Sequence, residues 1–260
     1  MTSWFDLHIV QTDRLPLFCF LVALVLTFGF IRISVRLIRA EVKWWFGNIT
    51  PGGLHIHHVV FGVVFMLIGG VAALAVSPEL EIGRAIAAAI FGVGAALVLD
   101  EFALILHLQD VYWSEKGRTS IDAVFVAIAL TGLLLIGLRP VGVVDFLEAR
   151  SDTESSNPML LAVGYTFVNL TFAVVALLKG KIWTGLIGLF IPPLVYVGAL
   201  RLARPSSPWA HWLYQEGKPL GPRKMRRAIW RDRRLRRPLI EAKIAVQEFI
   251  GGRHDHPSPH

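Results

Sequence analysis

The chain has 260 residues, 54% of them hydrophobic and only 17% charged, with a formal net charge of +7 and a mean hydropathy of +0.57. That balance lies well outside the soluble globular norm and sets aside a water-soluble domain as the reading to start from. A hydrocarbon core about 30 Å thick takes roughly 20 mostly apolar residues in helical form. Six stretches approach that length, at about 15–38, 54–77, 85–108, 121–138, 159–178 and 183–200. The strict alternation of a membrane β-barrel is absent. The predicted fold class is therefore an all-α membrane protein: a polytopic bundle of about six transmembrane helices over residues 1–200, then a basic amphipathic tail over 201–260.

The first span reads as a retained anchor. Its apolar run from Leu15 to Ile31 is long, lacks a small-residue cleavage site, and is followed by Arg32, Arg36 and Arg39. Cys19 is the sole cysteine, which rules out an intramolecular disulfide and leaves a small packing residue. Trp44, Trp45 and Phe46 read as interfacial anchors. The Asn48–Thr50 sequon is read as chance.

Span two opens with three histidines in four positions, His55, His57 and His58. Gly62 follows, where a missing side chain lets helices approach closely. Span three carries Asp100 and Glu101 near its end, then His107 and Asp110. Ionisable groups within membrane helices are costly and mark function by default. Because the spans alternate direction, the start of span two, the end of span three and the start of span four share one membrane face, whatever the absolute orientation. That face collects the three histidines, both carboxylates, His107, Asp110, Arg118, Ser120 and Asp122, while Glu79, Glu81 and Arg84 mark the other end.

Helical phase refines the set. At about 100° per residue, Asp100 and His107 project from nearly one side, with Asp110 a turn beyond. His55 and His58 share a face; His57 joins them if the helix begins after it. Glu101 sits about a quarter turn from Asp100.

The connection over 109–120 places Tyr112 and Trp113 in an aromatic belt. Ser120 is a candidate N-cap of span four, and Asp122 would complement that helix dipole. Arg118 would pair with Asp110, with Asp122 or with a substrate phosphate. The polar segment from Arg150 to Pro158 is a loop. Pro192 and Pro193 should kink the last span.

Imidazole with carboxylate suits Zn²⁺ and non-haem Fe or Mn, and a catalytic zinc site takes about three protein ligands plus an open position. His55, His57, His58 and Asp100 are the candidate metal ligands, and Glu101 and His107 the candidate general base or ligand orienters. Asp110 and Arg118 are candidate substrate or anion contacts. A divalent metal would make the protein a membrane hydrolase or transferase acting on a lipid-phase substrate. The same residues also suit a proton relay, hence a proton- or ion-coupled transporter or accessory subunit. A third alternative is a non-catalytic scaffold in which the polar residues lock helices together.

The HxHH run at 55–58, Leu99 to Leu104 and Leu106 to Trp113 resemble a family of multi-pass bacterial integral membrane proteins. Pro205 to Ala210 and the basic tail are similar to actinobacterial members. The resemblance spans about 55–125; it implies a polytopic inner-membrane protein and carries no reaction with it.

Residues 201–260 hold fourteen Lys/Arg against five Asp/Glu, whereas residues 1–200 hold twelve against fourteen. The run Arg223 to Arg237, with Met225, Ile229 and Trp230, predicts an interfacial helix on anionic lipid rather than a nucleic-acid site. Basic flanks favour the cytoplasm, which places the tail and both termini inside the plasma membrane, although Arg32, Arg36, Arg39 and Lys43 pull the first loop the same way.

Overall fold

A computed structural model describes residues 4–45, 57–107, 118–140, 158–215, 217, 219 and 221–251. Helices account for their regular structure, and no strand occurs among the described residues. A π-helical turn at Asp6–Val10 precedes α1 (Leu15–Arg39), then come α2 (Val59–Ala75), α3 (Glu81–Asp100), α4 (Phe102–His107) and α5 (Arg118–Leu135). The chain continues with α6 (Pro158–Leu178), α7 (Ile182–Gly188), α8 (Pro192–Leu200), α9 (Pro208–Leu213) and α10 (Gly221–Arg231). A π-helical turn at Asp232–Arg236 leads into α11 (Arg237–Gly251).

Three helices are long and apolar enough to cross a membrane, over Leu15–Ile38, Glu81–Asp100 and Met159–Leu178. Two shorter apolar helices cover Val59–Ala75 and Thr119–Leu135. Local chemistry explains where the helix bounds depart from the apolar runs. α2 stops at Ala75 because Ser77 precedes Pro78 and the chain is already extended at Val76, with φ −75° and ψ 130°. α5 ends two residues before Gly137, whose φ of 95° suits glycine. α6 opens on Pro158, where a missing N–H costs nothing, and closes at Gly180 in a Schellman turn. There the Lys181 amide donates to Ala176 O at 3.0 Å and the Gly180 amide to Leu177 O at 2.8 Å.

The 183–200 segment departs most from expectation. Pro192 and Pro193 occupy the first turn of α8 and start a second helix, so the run is two short helices and not one kinked span. The 85–108 run likewise divides, with Glu101 between α3 and the one-and-a-half turns of α4.

Two compact units result. The first comprises Met1–Leu135 with Ile244–His260, the second Ile136–Lys243. In the first, α3 is the central helix. Leu24 and Phe28 of α1, Ala95 and Ala96 of α3, and Ile121 and Val124 of α5 form its buried core. α2 packs on α3 through glycines: a Cβ on Gly94 would lie 2.5 Å from the Met66 amide nitrogen, and one on Gly69 would lie 2.5 Å from that of Phe91. On the α1 side, a Cβ on Gly92 would meet Phe20 O at 2.5 Å. Backbones this close gain dispersion contact that lipid cannot offer, which is how small residues join helices in a bilayer. The rest of α2 exposes Val60, Phe61, Val64, Leu67, Val71 and Leu74. The end of α11 belongs to this unit, where Gln247 donates to Asp122 Oδ1 at 2.8 Å and the Arg36 guanidinium lies 5.3 Å from the Phe249 ring centroid.

In the second unit, Ala173 and Ala176 of α6 pack against Val195 of α8. Asn169, buried in α6, accepts from the Tyr196 hydroxyl at 2.8 Å. Ala203, Ala210, Tyr214 and Ala228 form a further cluster that packs part of the basic tail.

Candidate functional site

The polar cluster of the first unit is built at the end of α3. Asp100 is the last residue of that helix and is fully buried; Glu101 follows and is 6% exposed. α2 begins at Val59, after the histidines. Its N-terminus has no capping side chain of its own, and Glu101 takes that role from α3: the Val59 N–H donates to Glu101 Oε2 at 2.9 Å. A carboxylate on a helix N-terminus satisfies an orphan donor and meets the positive end of the dipole.

With α2 starting late, His57 and His58 both reach the carboxylates. His57 Nδ1 lies 3.0 Å from Glu101 Oε1, and His58 Nδ1 lies 3.3 Å from the same oxygen. His58 Nε2 lies 3.2 Å from Asp100 Oδ2. Each ring nitrogen of His58 thus faces a different carboxylate.

Arg32 completes the cluster from α1. Its Nη2 is 2.6 Å from Asp100 Oδ1, and its guanidinium also lies 5.0 Å from the Phe28 ring centroid one turn earlier. The contacts of Asp100 are close charge contacts and not aligned hydrogen bonds. A carboxylate buried so completely requires opposite charge beside it, and Arg32 provides a permanent one. The result is an unbroken chain, Arg32–Asp100–His58–Glu101–His57.

The other expected members fall differently. His55 and Asp110 lie outside the described residues, as do the side chains of His107 and Arg118. His107 ends α4, and the break at Glu101 removes the continuous helix on which its phase with Asp100 depended. Ser120 lies within the first turn of α5 and not at its N-cap; its Oγ accepts from the Ala103 N–H at 2.9 Å, tying α5 to α4. Asp122 accepts from Gln247. At the opposite end of this unit, Arg84 forms an exposed pair with Asp13 at 3.2 Å.

Arg32 is the functional candidate that the sequence reading placed elsewhere, among the flanking charges. A signal for it existed: the predicted first span at about 15–38 already contains Arg32, and α1 runs on to Arg39, so Arg32 lies two turns inside the helix and cannot be a flanking anchor. His57, His58, Asp100 and Glu101 are the metal-ligating types assembled here. Among the described residues, no group of three or more His, Cys, Asp or Glu converges as a metal site. No family model, curated protein or solved structure matches the chain.

Proposed function

We propose that this is a proton-coupled membrane protein, a transporter or its accessory subunit, in which the Arg32–Asp100–His58–Glu101–His57 chain holds and passes a proton. The observation that carries the reading is the placement of His58, with Nε2 3.2 Å from Asp100 and Nδ1 3.3 Å from Glu101. An imidazole with two protons donates to both carboxylates; with one, it donates to a single carboxylate and turns a lone pair toward the other. Gain or loss of a proton therefore changes which carboxylate the ring holds, and His57 offers the next acceptor on Glu101. With Arg32 positive and both carboxylates ionised, one proton shared by the two imidazoles brings the five side chains to zero net charge. Neutrality matters where charge is costly.

The metal-dependent hydrolase or transferase reading uses the same residues. Arg32 is what ranks it second: a guanidinium against Asp100 already occupies one oxygen of the carboxylate that a cation would need. The positive-inside rule favours a cytoplasmic basic tail, and a bacterial plasma membrane is the host that the sequence resemblance implies.

Reconstitution into liposomes with an entrapped pH dye tests the proposal. The native protein is expected to dissipate an imposed pH gradient, and Asp100→Asn to abolish that flux. A native protein that moves no proton overturns it. Stoichiometric bound metal, lost in His58→Ala and Asp100→Ala, would move the assignment to the metal enzyme.

A further inference from the structure

The second unit carries a cleft that the proton chain does not use. It encloses about 460 Å³, within the usual size range of small-molecule sites. Lys179, Arg201 and Lys224 line it together with Trp209, Tyr214 and Gly221, and leucines complete the wall. Three cations and no carboxylate are among its described lining residues.

Each cation comes from a different part of the chain. Lys179 follows directly on Leu178, the last residue of a candidate membrane span. Only 8% of its surface is exposed, and its Nζ is pinned, donating to the carbonyls of Ala199 and Arg201 while lying 5.0 Å from the Trp209 ring centroid. Arg201 follows α8 as its C-cap, and Lys224 lies in the first turn of α10; both are exposed, and neither forms an ion pair among the described residues. Gly221 opens α10, so the cleft also receives the N-terminal end of an 11-residue helix, where backbone N–H groups and the dipole favour an anion. Tyr214 is 6% exposed; its oxygen accepts from the Ala203 N–H at 3.1 Å, and its own proton has no acceptor among the described residues.

The surrounding field is positive. Burial, then Lys179, Arg231, Arg201 and Arg204, lower Lys181 from 10.5 to about 7; burial and Lys224 likewise lower Lys179. An anion in the cleft would relieve that repulsion.

We propose that this cleft binds the phosphate of an anionic phospholipid headgroup, held by Arg201 and Lys224 over the buried Lys179, with the apolar wall against the glycerol and upper acyl carbons. The depth argues for a lipid source. The cleft begins at the residue that follows a span, and the adjacent Trp212 and Leu213 are exposed apolar side chains of the kind that settle at headgroup level. The proposal differs from general attraction of the basic run to an acidic surface, because two of its three cations lie outside that run. It stands independently of the proton chain.

Binding of phosphatidylglycerol, phosphatidylcholine and soluble glycerol phosphate to the full-length protein in a neutral detergent, read by native mass spectrometry, tests it. Phosphatidylglycerol is expected to bind well above the other two. The double variant Arg201→Ala with Lys224→Ala should lose about tenfold or more in affinity, as expected for losing charge-assisted contacts. Arg227→Ala, an exposed cation of the same basic run outside the cleft, serves as control and should bind almost as the native protein does. Equal losses per charge removed in the cleft variant and the control would reduce the effect to bulk charge and overturn the site. Glycerol phosphate binding as tightly as the lipid would overturn the lipid source.

Discussion

The two units each gather charge in a largely apolar chain, and they treat it in opposite ways. In the first, the basic side chains Arg32, His58 and His57 alternate with the carboxylates Asp100 and Glu101 at separations of 2.6–3.3 Å. In the second, Lys179 and Lys181 face other cations and spend their donors on backbone: Lys181 Nζ donates to Gly198 O at 2.6 Å and to Arg201 O at 3.0 Å, at the C-terminal end of α8. Helix C-termini favour cations, so the carbonyls partly substitute for counter-ions. A compensated cluster depends on every member, whereas a one-sign cluster depends on pH and on whatever anion it meets.

The sharpest way to break this contrast is to remove one partner of the buried pair. Asp100→Ala should destabilise the first unit by about 3–5 kcal/mol, because Arg32 keeps its charge without its carboxylate. Arg32→Met combined with Asp100→Leu should cost less than either single change, since apolar replacement of both partners removes the stranded charge. Unfolding in detergent, read by circular dichroism, checks both.

A smaller effect is expected from moving α2 against α3. In Gly94→Ala the new Cβ falls 2.5 Å from the Met66 amide nitrogen and 2.6 Å from Gly62 O, both backbone atoms that cannot swing aside. We expect a loss of about 1–3 kcal/mol from overpacking, and with it a separation of the histidines from the carboxylates. Gly132→Ala is the matched control, with nothing within 4 Å of the new Cβ; it should gain roughly 0.5–1 kcal/mol from helix propensity.

The gentlest test addresses the cationic side. The folded protein releases the Lys181 proton at about 7, whereas the unfolded chain keeps it to about 10.5. Between those values the unfolded chain binds more protons, so the stability of the second unit rises with pH; below about 7 both states are protonated and this contribution is flat. Lys181→Met should flatten the rise in melting temperature between pH 7 and 9.5, a window inside that interval.

Much of this was legible in the residues. Alternating spans place the start of one helix beside the end of the next, which is enough to bring His57 and His58 to Asp100 and Glu101, and Gly62 announced a close approach that occurs against Leu97 and Val98. What was hidden depended on where helices stop. Arg32 read as a flanking charge because the apolar run ends at Ile31, although the helix does not. Glu101 looked peripheral by helical phase, yet it leaves the helix and caps α2. Pro192 and Pro193 signalled a bend where their lack of N–H groups opens a new helix. The cationic cleft had no local pattern at all, since Lys179, Arg201 and Lys224 meet only through the packing of α6, α8 and α10.

Proton flux in liposomes with His58→Gln set beside Arg84→Gln tests the central claim most directly. Both substitutions remove a member of a charge contact in the same unit, one in the buried chain and one in the exposed pair with Asp13. The account predicts that Arg84→Gln dissipates the gradient like the native protein and that folded His58→Gln does not. Equal flux from the two variants would contradict it.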